Sequence, residues 1–392
     1  ALVPALRFPE FRDAGEWEEK PLGKLLSVGN GRDHKHLPDG DIPVYGSGGY
    51  MRSVNDYLYN GESVCIGRKG TIDKPVFLAG KFWTVDTLFY THSFKSCLPR
   101  FVYSLFQNIE WKKHNEAGGV PSLSKTNIEK IAVLVPKRVN EQQKIADCLS
   151  SLDVLIAAQT EKIDALKTHK KGLMQQLFPR DGETVPRLRF PEFRGAGEWE
   201  VKVLKDIARI SSGGTPNRAE PAYWGGSVPW ITTSLIDFNK IDSAEEFITT
   251  EGLNNSSAKL FPAQTLLMAM YGQGKTRGKV ALLGIDATTN QACAAVMFND
   301  EVNTNFAFQN LASRYDEIRK LSNEGGQENL SAGLIKSIPL AHPCLSEQQK
   351  IADCLFSVDD LITAQAQKIV ELKSHKKGLM QQLFPSSKEI EG

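Results

Sequence analysis

Two segments of this chain are each written twice, and the order in which they recur restricts the fold more than any other feature. Arg7-Phe8-Pro9-Glu10-Phe11-Arg12 returns as Arg189-Phe190-Pro191-Glu192-Phe193-Arg194, and Gly15-Glu16-Trp17-Glu18 as Gly197-Glu198-Trp199-Glu200, at an offset of 182. Glu141–Pro179 returns as Glu347–Pro385 at an offset of 206, with 30 of 39 positions identical. The offset grows from 182 to 206, so the second copy carries 24 more residues between its shared segments. The intervening stretches, 25–138 and 207–345, are almost unrelated. Drift after duplication does not spare a helix while scrambling the block ahead of it. Two copies of one plan can pack about a pseudo-two-fold axis, as a homodimer does. The common parts then do one job twice, and the divergent parts do one job with two specificities.

Glu141–Phe178 is expected to form one long helix without an internal proline, with Asn140 as N-cap; Ser346 caps its copy. Apolar residues step by four and three: Ile145, Leu149, Leu152, Ile156, Ile163, Leu166, Leu173 and Leu177. Ile351, Leu355, Val358, Ile362, Ile369, Leu372, Leu379 and Leu383 repeat the pattern. Such sustained heptads point to a coiled coil. The same register puts Gln159 and Lys170, and in the copy Gln365 and Lys376, on the seam. An antiparallel pair brings Gln159 and Gln365 together near its midpoint, a polar layer that fixes register at some cost in stability. The two lysines are expected to snorkel, stems on the seam and charges in water. A helix of 38 residues runs roughly 57 Å, long enough for a rigid spacer.

The divergent blocks alternate apolar runs with glycine-rich turns. Strands are expected at Ile42–Tyr45, Ser63–Ile66, Val76–Leu78 and Phe82–Tyr90, and at Val228–Thr232, Thr265–Met270, Lys279–Leu283 and Ala292–Phe298; helices at Arg100–Glu116 and Thr304–Ser322. The fold class that follows is α+β, with two strand-rich α/β domains in pseudo-two-fold arrangement, separated by an antiparallel coiled coil of two long helices. Its boundaries are 1–139 for the first domain with its short shared segment, 140–179 for the first helix, 180–345 for the second domain, 346–385 for the second helix, and 386–392 for a tail.

Gly67-Arg68-Lys69-Gly70-Thr71 and Gly272-Gln273-Gly274-Lys275-Thr276-Arg277-Gly278-Lys279 lie at equivalent places between apolar strands. Arginine, lysine and glutamine projecting from such turns reach phosphates or base edges. Arg68, Lys69 and Lys74 in block one, and Thr232, Thr233, Gln273, Lys275, Arg277 and Lys279 in block two, are therefore the candidate nucleic-acid contacts. Ala269 to Thr276 also fits a loose Walker-A pattern. A phosphate loop needs a helix immediately after it, and Val280-Ala281-Leu282-Leu283 reads as a strand.

Other chemistry is sparse. The seven histidines form no HxxxH pair, no GxSxG elbow is present, and no carboxylate pairing is defensible as catalytic. No metal site is expected. Hydrophobic residues at 41% and charged residues at 24% are ordinary globular proportions, and no apolar run approaches the ~20 residues of a membrane helix. Ala1–Phe8 has no signal-peptide character, and six cysteines without a CxxC pair fit reduced thiols, so a cytoplasmic location is expected. A net charge of +1 leaves room for a local basic stripe.

The order RFPEF-x5-W, variable block, then an EQQKIAD helix ending in HKKGLMQQLFP, all occurring twice, resembles the DNA-specificity subunit of type I restriction–modification enzymes. Gly213-Gly214-Thr215-Pro216, Val228-Pro229-Trp230 and Thr276-Arg277-Gly278-Lys279-Val280 are also similar to that family; block one has Gly29-Asn30-Gly31-Arg32 and Arg68-Lys69-Gly70-Thr71 instead. The resemblance implies a non-catalytic subunit in which each block reads one half of a bipartite asymmetric site in double-stranded DNA. It implies that the helices set the spacer and dock two methyltransferase subunits, with restriction/translocase subunits completing the complex. S-adenosylmethionine, ATP and magnesium then belong to those partners, and this chain binds no cofactor. Exposed helix positions including Gln142, Gln143, Gln348 and Gln349, with the seam residues Gln159 and Gln365, are the spacer and docking candidates. Two other readings stand beside this one: a coiled-coil adaptor that binds proteins, and a P-loop nucleotide-binding protein built on Lys275.

Overall fold

The computed structural model describes residues 2–272, 275–321 and 329–385. The chain divides into two units, Ala1–Glu161 with Ala366–Gly392, and Lys162–Gln365. Each long helix thus gives one half to each unit. The helices run Val139–Leu177 and Leu345–Leu383. They begin one or two residues ahead of the expected starts, so Asn140 and Ser346 lie inside the first turn rather than capping it.

The seam is as periodic as the sequence requires. Residues 145, 149, 152, 156, 159, 163, 166, 170, 173 and 177 are all buried or half-buried, while most residues between them are exposed; the second helix repeats this. In the first unit Ile145, Ala146 and Leu149 share a core with Leu379, Met380 and Leu383. In the second, Leu173, Met174 and Leu177 share one with Ile351, Ala352 and Leu355. Low numbers meet high numbers in both, so the pairing within each unit is antiparallel. Gln159 and Gln365 belong to different units; in each, Oε1 is buried without a hydrogen-bond partner among the described residues.

The seam lysines correct one expectation. Lys170 Nζ lies 2.7 Å from both carboxylate oxygens of Asp359, and Lys376 Nζ lies 2.6 and 2.7 Å from those of Asp153. They make specific ion pairs rather than extending into water. The partners lie 189 and 223 residues away in sequence, beyond the reach of any local pattern.

The short repeated segment explains itself in the same units. Arg7 makes a bidentate pair with buried Glu141 at the helix start, at 2.7 and 2.8 Å, and Arg189 does the same with Glu347 at 2.7 Å. The third guanidinium nitrogen closes the turn by donating to Gly15 O, or to Gly197 O in the copy, at 2.6 Å. Trp17 sits edge-on to Phe384 at 5.9 Å and to Phe101 at 6.1 Å; Trp199 packs on Phe306, which also meets Phe178. The RFPEF–W segment is therefore the clamp that seats each block on the helices.

Among the described residues each block holds two sheets of four or five strands, beside a two-stranded pair, Glu18–Pro21 with Ala132–Val135 in one and Glu200–Val203 with Pro339–His342 in the other. In block one Ser27–Gly29, Leu88–His92, Ser63–Gly67 and Val76–Leu78 lie side by side in that order, and Gly49–Val54, Asp39–Gly46, Lys81–Thr84 and Tyr59–Asn60 form the other sheet. Block two repeats both orders. Its first sheet is Ala208–Ser212, Cys293–Phe298, Leu266–Ala269 and Val280–Leu283, extended by Lys240–Ile241; its second is Glu246–Ile248, Trp224–Ile231, Ala287–Thr289 and Leu260–Phe261. Even the single parallel pairing in the second sheet recurs, Val44 with Trp83 and Trp230 with Thr288.

Three expected elements are divided. The run Phe82–Tyr90 is two strands in different sheets, because Leu88 N turns back to Val85 O at 2.9 Å. The helix expected over Arg100–Glu116 ends at Asn108 and resumes as a short 3₁₀ turn, Trp111–His114. That expected over Thr304–Ser322 breaks at Arg314 into Thr304–Ser313 and Tyr315–Lys320.

Candidate nucleic-acid interface

In each block a cluster of loops is stitched together by backbone hydrogen bonds. In block one Arg32 N donates to Thr84 O, Val85 N to Tyr45 O, Arg68 N to Thr87 O, and Leu123 N to Arg68 O, at 2.8–2.9 Å. In block two Gly214 N donates to Thr289 O, Asn290 N to Ile231 O, Met270 N to Ala292 O, and Leu330 N to Met270 O, at 2.8–3.0 Å. A tryptophan indole seals each cluster: Trp83 Nε1 donates to Arg32 O and Trp230 Nε1 to Gly214 O. The frame is the same in both blocks.

Glycine makes this frame possible at the closest approaches. A Cβ on Gly31 would stand 1.9 Å from Val85 O, and one on Gly213 would stand 2.0 Å from Thr289 O. No side chain fits between those backbones.

What the frames display differs. Block one exposes Asn30, Arg32, Arg68 and Lys69, with Lys74 on the same connection. These four cations form no ion pair with a carboxylate among the described residues, and Asp33 and Asp86 lie exposed nearby in sequence. Arg68 also lies over the Phe89 ring at 5.9 Å, and exposed Tyr50 and Val120 flank the cluster in its hairpin turn and its glycine loop. At the positions equivalent to Arg68 and Lys69, block two carries Met270 and Tyr271; Thr215 and Gln291 stand beside them, hydrogen-bonded to each other at 2.5 Å. Cationic loops present phosphate contacts and guanine readers, whereas amide, hydroxyl and aromatic groups suit other base edges.

The expected contacts in block two are distributed unevenly. Lys275 is exposed, and Thr232 and Thr233 are half-buried, with the Thr232 hydroxyl 2.6 Å from that of Ser234. Lys279 is paired with Asp237 at 2.6 Å. Arg277 runs against expectation: it is 8% exposed, and its Nη2 donates to Arg319 O at 2.9 Å, so it braces the loop against the Tyr315–Lys320 helix. Gln273 lies outside the described residues. The Walker-A-like stretch leads from strand Leu266–Ala269 into strand Val280–Leu283, with no helix behind it to receive a phosphate.

The glutamine pairs split as well. Gln142 and Gln348, expected to be exposed, are buried pins. Gln142 bonds Leu98 N, Ser96 O and Pro136 O; Gln348 bonds Asn303 N, Glu301 O and Pro343 O. Gln143 and Gln349 do face outward, each bonded to an aspartate one turn on, Asp147 or Asp353. Arg32, Tyr271 and Gln291 were not among the expected contacts; Gly29 and Gly31 stand beside Arg32 in the sequence, whereas Gln291 meets the loop after Gly213 and Gly214 only in the fold, through Thr215. Among the described residues no group of three or more His, Cys, Asp or Glu is placed to hold a metal ion, and no helix is long and apolar enough to cross a membrane.

The profile of the type I restriction modification DNA specificity domain matches residues 14–168 and 196–374, one copy for each block with its helix. The chain belongs to that family. It is similar to the MjaIX specificity subunit of Methanocaldococcus jannaschii, 29% identical over 42% of this chain and 39% of that one. It is also similar to the EcoR124I/EcoR124II specificity subunit of Escherichia coli, 28% identical over 56% of this chain and 52% of that one. The chain therefore spans between about two-fifths and half of the length of these two relatives. The M. jannaschii MjaVIII specificity subunit is matched almost throughout, 26% identical over 97% of this chain and 93% of the relative. In fold, the chain resembles the type I restriction–modification S subunit from M. genitalium, with a TM-score of 0.65, 15% identity, and 98% and 99% of the two chains covered.

Proposed function

We propose that this chain is the non-catalytic, DNA-reading specificity subunit of a type I restriction–modification complex, each block recognising one half of an asymmetric bipartite site in double-stranded DNA. The observation that carries this reading is the shared backbone frame of the two blocks with unlike side chains on it, exposed Arg32, Arg68 and Lys69 where block two has Gly214, buried Met270 and exposed Tyr271. Selection for one architecture with two specificities leaves this pattern; a catalytic duplication keeps its chemistry instead. The domain limits proposed are 1–139 and 180–345 for the readers, 140–179 and 346–385 for the helices, and 386–392 for a tail.

In this reading Arg68, Lys69, Lys74, Thr232, Thr233, Gln273, Lys275 and Lys279 contact DNA, joined by Arg32 and Gln291, while Arg277 supports its loop. The long helices fix the spacer and offer outward positions such as Gln143 and Gln349 to two methyltransferase subunits; restriction/translocase subunits complete the assembly. S-adenosylmethionine, ATP and magnesium serve those partners. The work is done in the cytoplasm, where the DNA is.

The test is co-expression of the chain with its methyltransferase partner, followed by sequencing for modified bases. The expected product is a motif of two unlike halves, in which Arg68→Ala with Lys69→Ala alters one half only. A single contiguous motif, or equal damage to both halves, overturns the reading.

A further inference from the structure

A lysine on an apolar helix seam is tolerated when something there receives its charge. Lys170 and Lys376 both have such a receiver, and both receivers are built from three elements. Lys170 pairs with Asp359, whose Oδ2 also accepts from Gln309 Nε2 at 2.9 Å. Lys376 pairs with Asp153 and also donates to Gln107 Oε1 at 2.9 Å. Gln309 lies on the block-two helix Thr304–Ser313 and Gln107 on the block-one helix Pro99–Asn108. Each junction therefore joins both long helices to the recognition block of its own unit. Lys376 is 8% exposed and Gln309 fully buried, while the Asp359 and Asp153 side chains remain 32% and 40% exposed.

The duplication keeps these residues: lysine at 170 and 376, aspartate at 153 and 359. Some outward positions near them do not keep theirs, Val154 answering to Asp360 and Asp164 to Val370, while others, such as Lys171 and Lys377, do. The rest of the seam is degenerate. Its leucines, isoleucines and valine recur every seven residues, so sliding one helix by a heptad, about 10.5 Å, again matches apolar layers. Within the seam itself the polar layers tell the registers apart, because a slide takes each ammonium away from its aspartate; at the helix ends Phe384 and Phe178 add aromatic contacts. On duplex DNA that slide amounts to about three base pairs.

We propose that Lys170 and Lys376, through Asp359 and Asp153, are positioning residues that lock the axial register of the long helices and so fix the number of base pairs permitted between the two half-sites. The inference rests on the bipartite reading above. It is tested on the full chain co-expressed with its methyltransferase partner, with modified sites mapped by sequencing. Lys170→Met with Lys376→Met keeps the apolar stems and removes both charges. The half-site sequences should be unchanged, while the ratio of methylation at neighbouring spacer lengths to that at the native length rises at least tenfold. If this variant fails to fold, judged by circular dichroism, Asp153→Asn with Asp359→Asn preserves side-chain volume and reads the same ratio. Exchanging the charges, Lys376→Asp with Asp153→Lys and Lys170→Asp with Asp359→Lys, should restore the single spacer. A uniform fall in methylation with one spacer retained, or no change, overturns the proposal. Wild-type chain yielding no bipartite motif defeats instead the reading on which it rests.

Discussion

Glu141→Ala and Glu347→Ala make a matched pair of perturbations, because the two clamps differ by one hydrogen bond. Glu141 is 1% exposed and accepts three bonds, two from Arg7 and one from Trp17 Nε1 at 3.2 Å. Glu347 is fully buried and accepts two from Arg189, while Trp199 Nε1 has no partner among the described residues. Removing either carboxylate strands a largely buried guanidinium, which costs about 3–5 kcal/mol. At position 141 the change also orphans a buried indole N–H that had a charged acceptor, a further ~1.5 kcal/mol, at the low end for a bond of that length. Glu141→Ala should therefore be the more damaging, by about 1–2 kcal/mol. Native-state hydrogen exchange on the full chain measures both, following slow amides in the helix halves of each unit, since a chain of two units does not unfold in one step. Arg7→Met with Glu141→Met should recover most of the loss, because no charge is then left buried. Equal losses at the two sites, or a loss below about 1 kcal/mol at either, refute the clamp argument.

Three further outcomes are expected. Gly31→Ala and Gly213→Ala drive a methyl group into Val85 O and Thr289 O, so each should lower stability by about 1–3 kcal/mol in thermal melts and impair recognition of its own half-site alone. Thiol labelling of the folded chain should begin at Cys344, which is exposed and held below the usual thiol range by bonds from Ser346 and the Glu347 backbone. Cys65 and Cys293, pushed up to about 12 by burial, should label only on unfolding. Acidification should release Arg218 from the Trp224 and Trp230 rings, 3.8 and 4.8 Å away, as Glu246 protonates. The Arg218 guanidinium holds that carboxyl below its ordinary 4.5; the contribution is thus present above 4.5 and lost as pH falls through the lowered value. Tryptophan fluorescence should show this transition below pH 4.5, and Glu246→Gln should abolish it.

The candidate interface was legible in part. Gly67–Thr71 offered glycine for the bend and cations for the tip, and Arg68 lies in the stitched cluster of block one; in block two the matching position in the frame is Met270, ahead of the turn that leads to Val280. Arg277 looked like a reader because its sequence neighbours are turn residues, yet a carbonyl of a helix more than forty positions further along draws it inward. Gln142 and Gln348 were mistaken for surface because the helix period marks which face a residue occupies, not whether a block's loop covers that face.

The sequence alone determined the duplicated plan, the limits of the long helices to within two residues, and the apolar seam, since repetition and heptad periodicity are local properties of the chain. It also established that the two blocks differ where the helices agree. Only the tertiary structure decided that the blocks share one strand order, for backbone topology tolerates almost complete replacement of side chains so long as alternating burial survives. It alone gave Lys170 and Lys376 their aspartates and Arg7 its glutamate. A buried charge must be met in space, and chain folding brings together groups that sequence distance keeps apart.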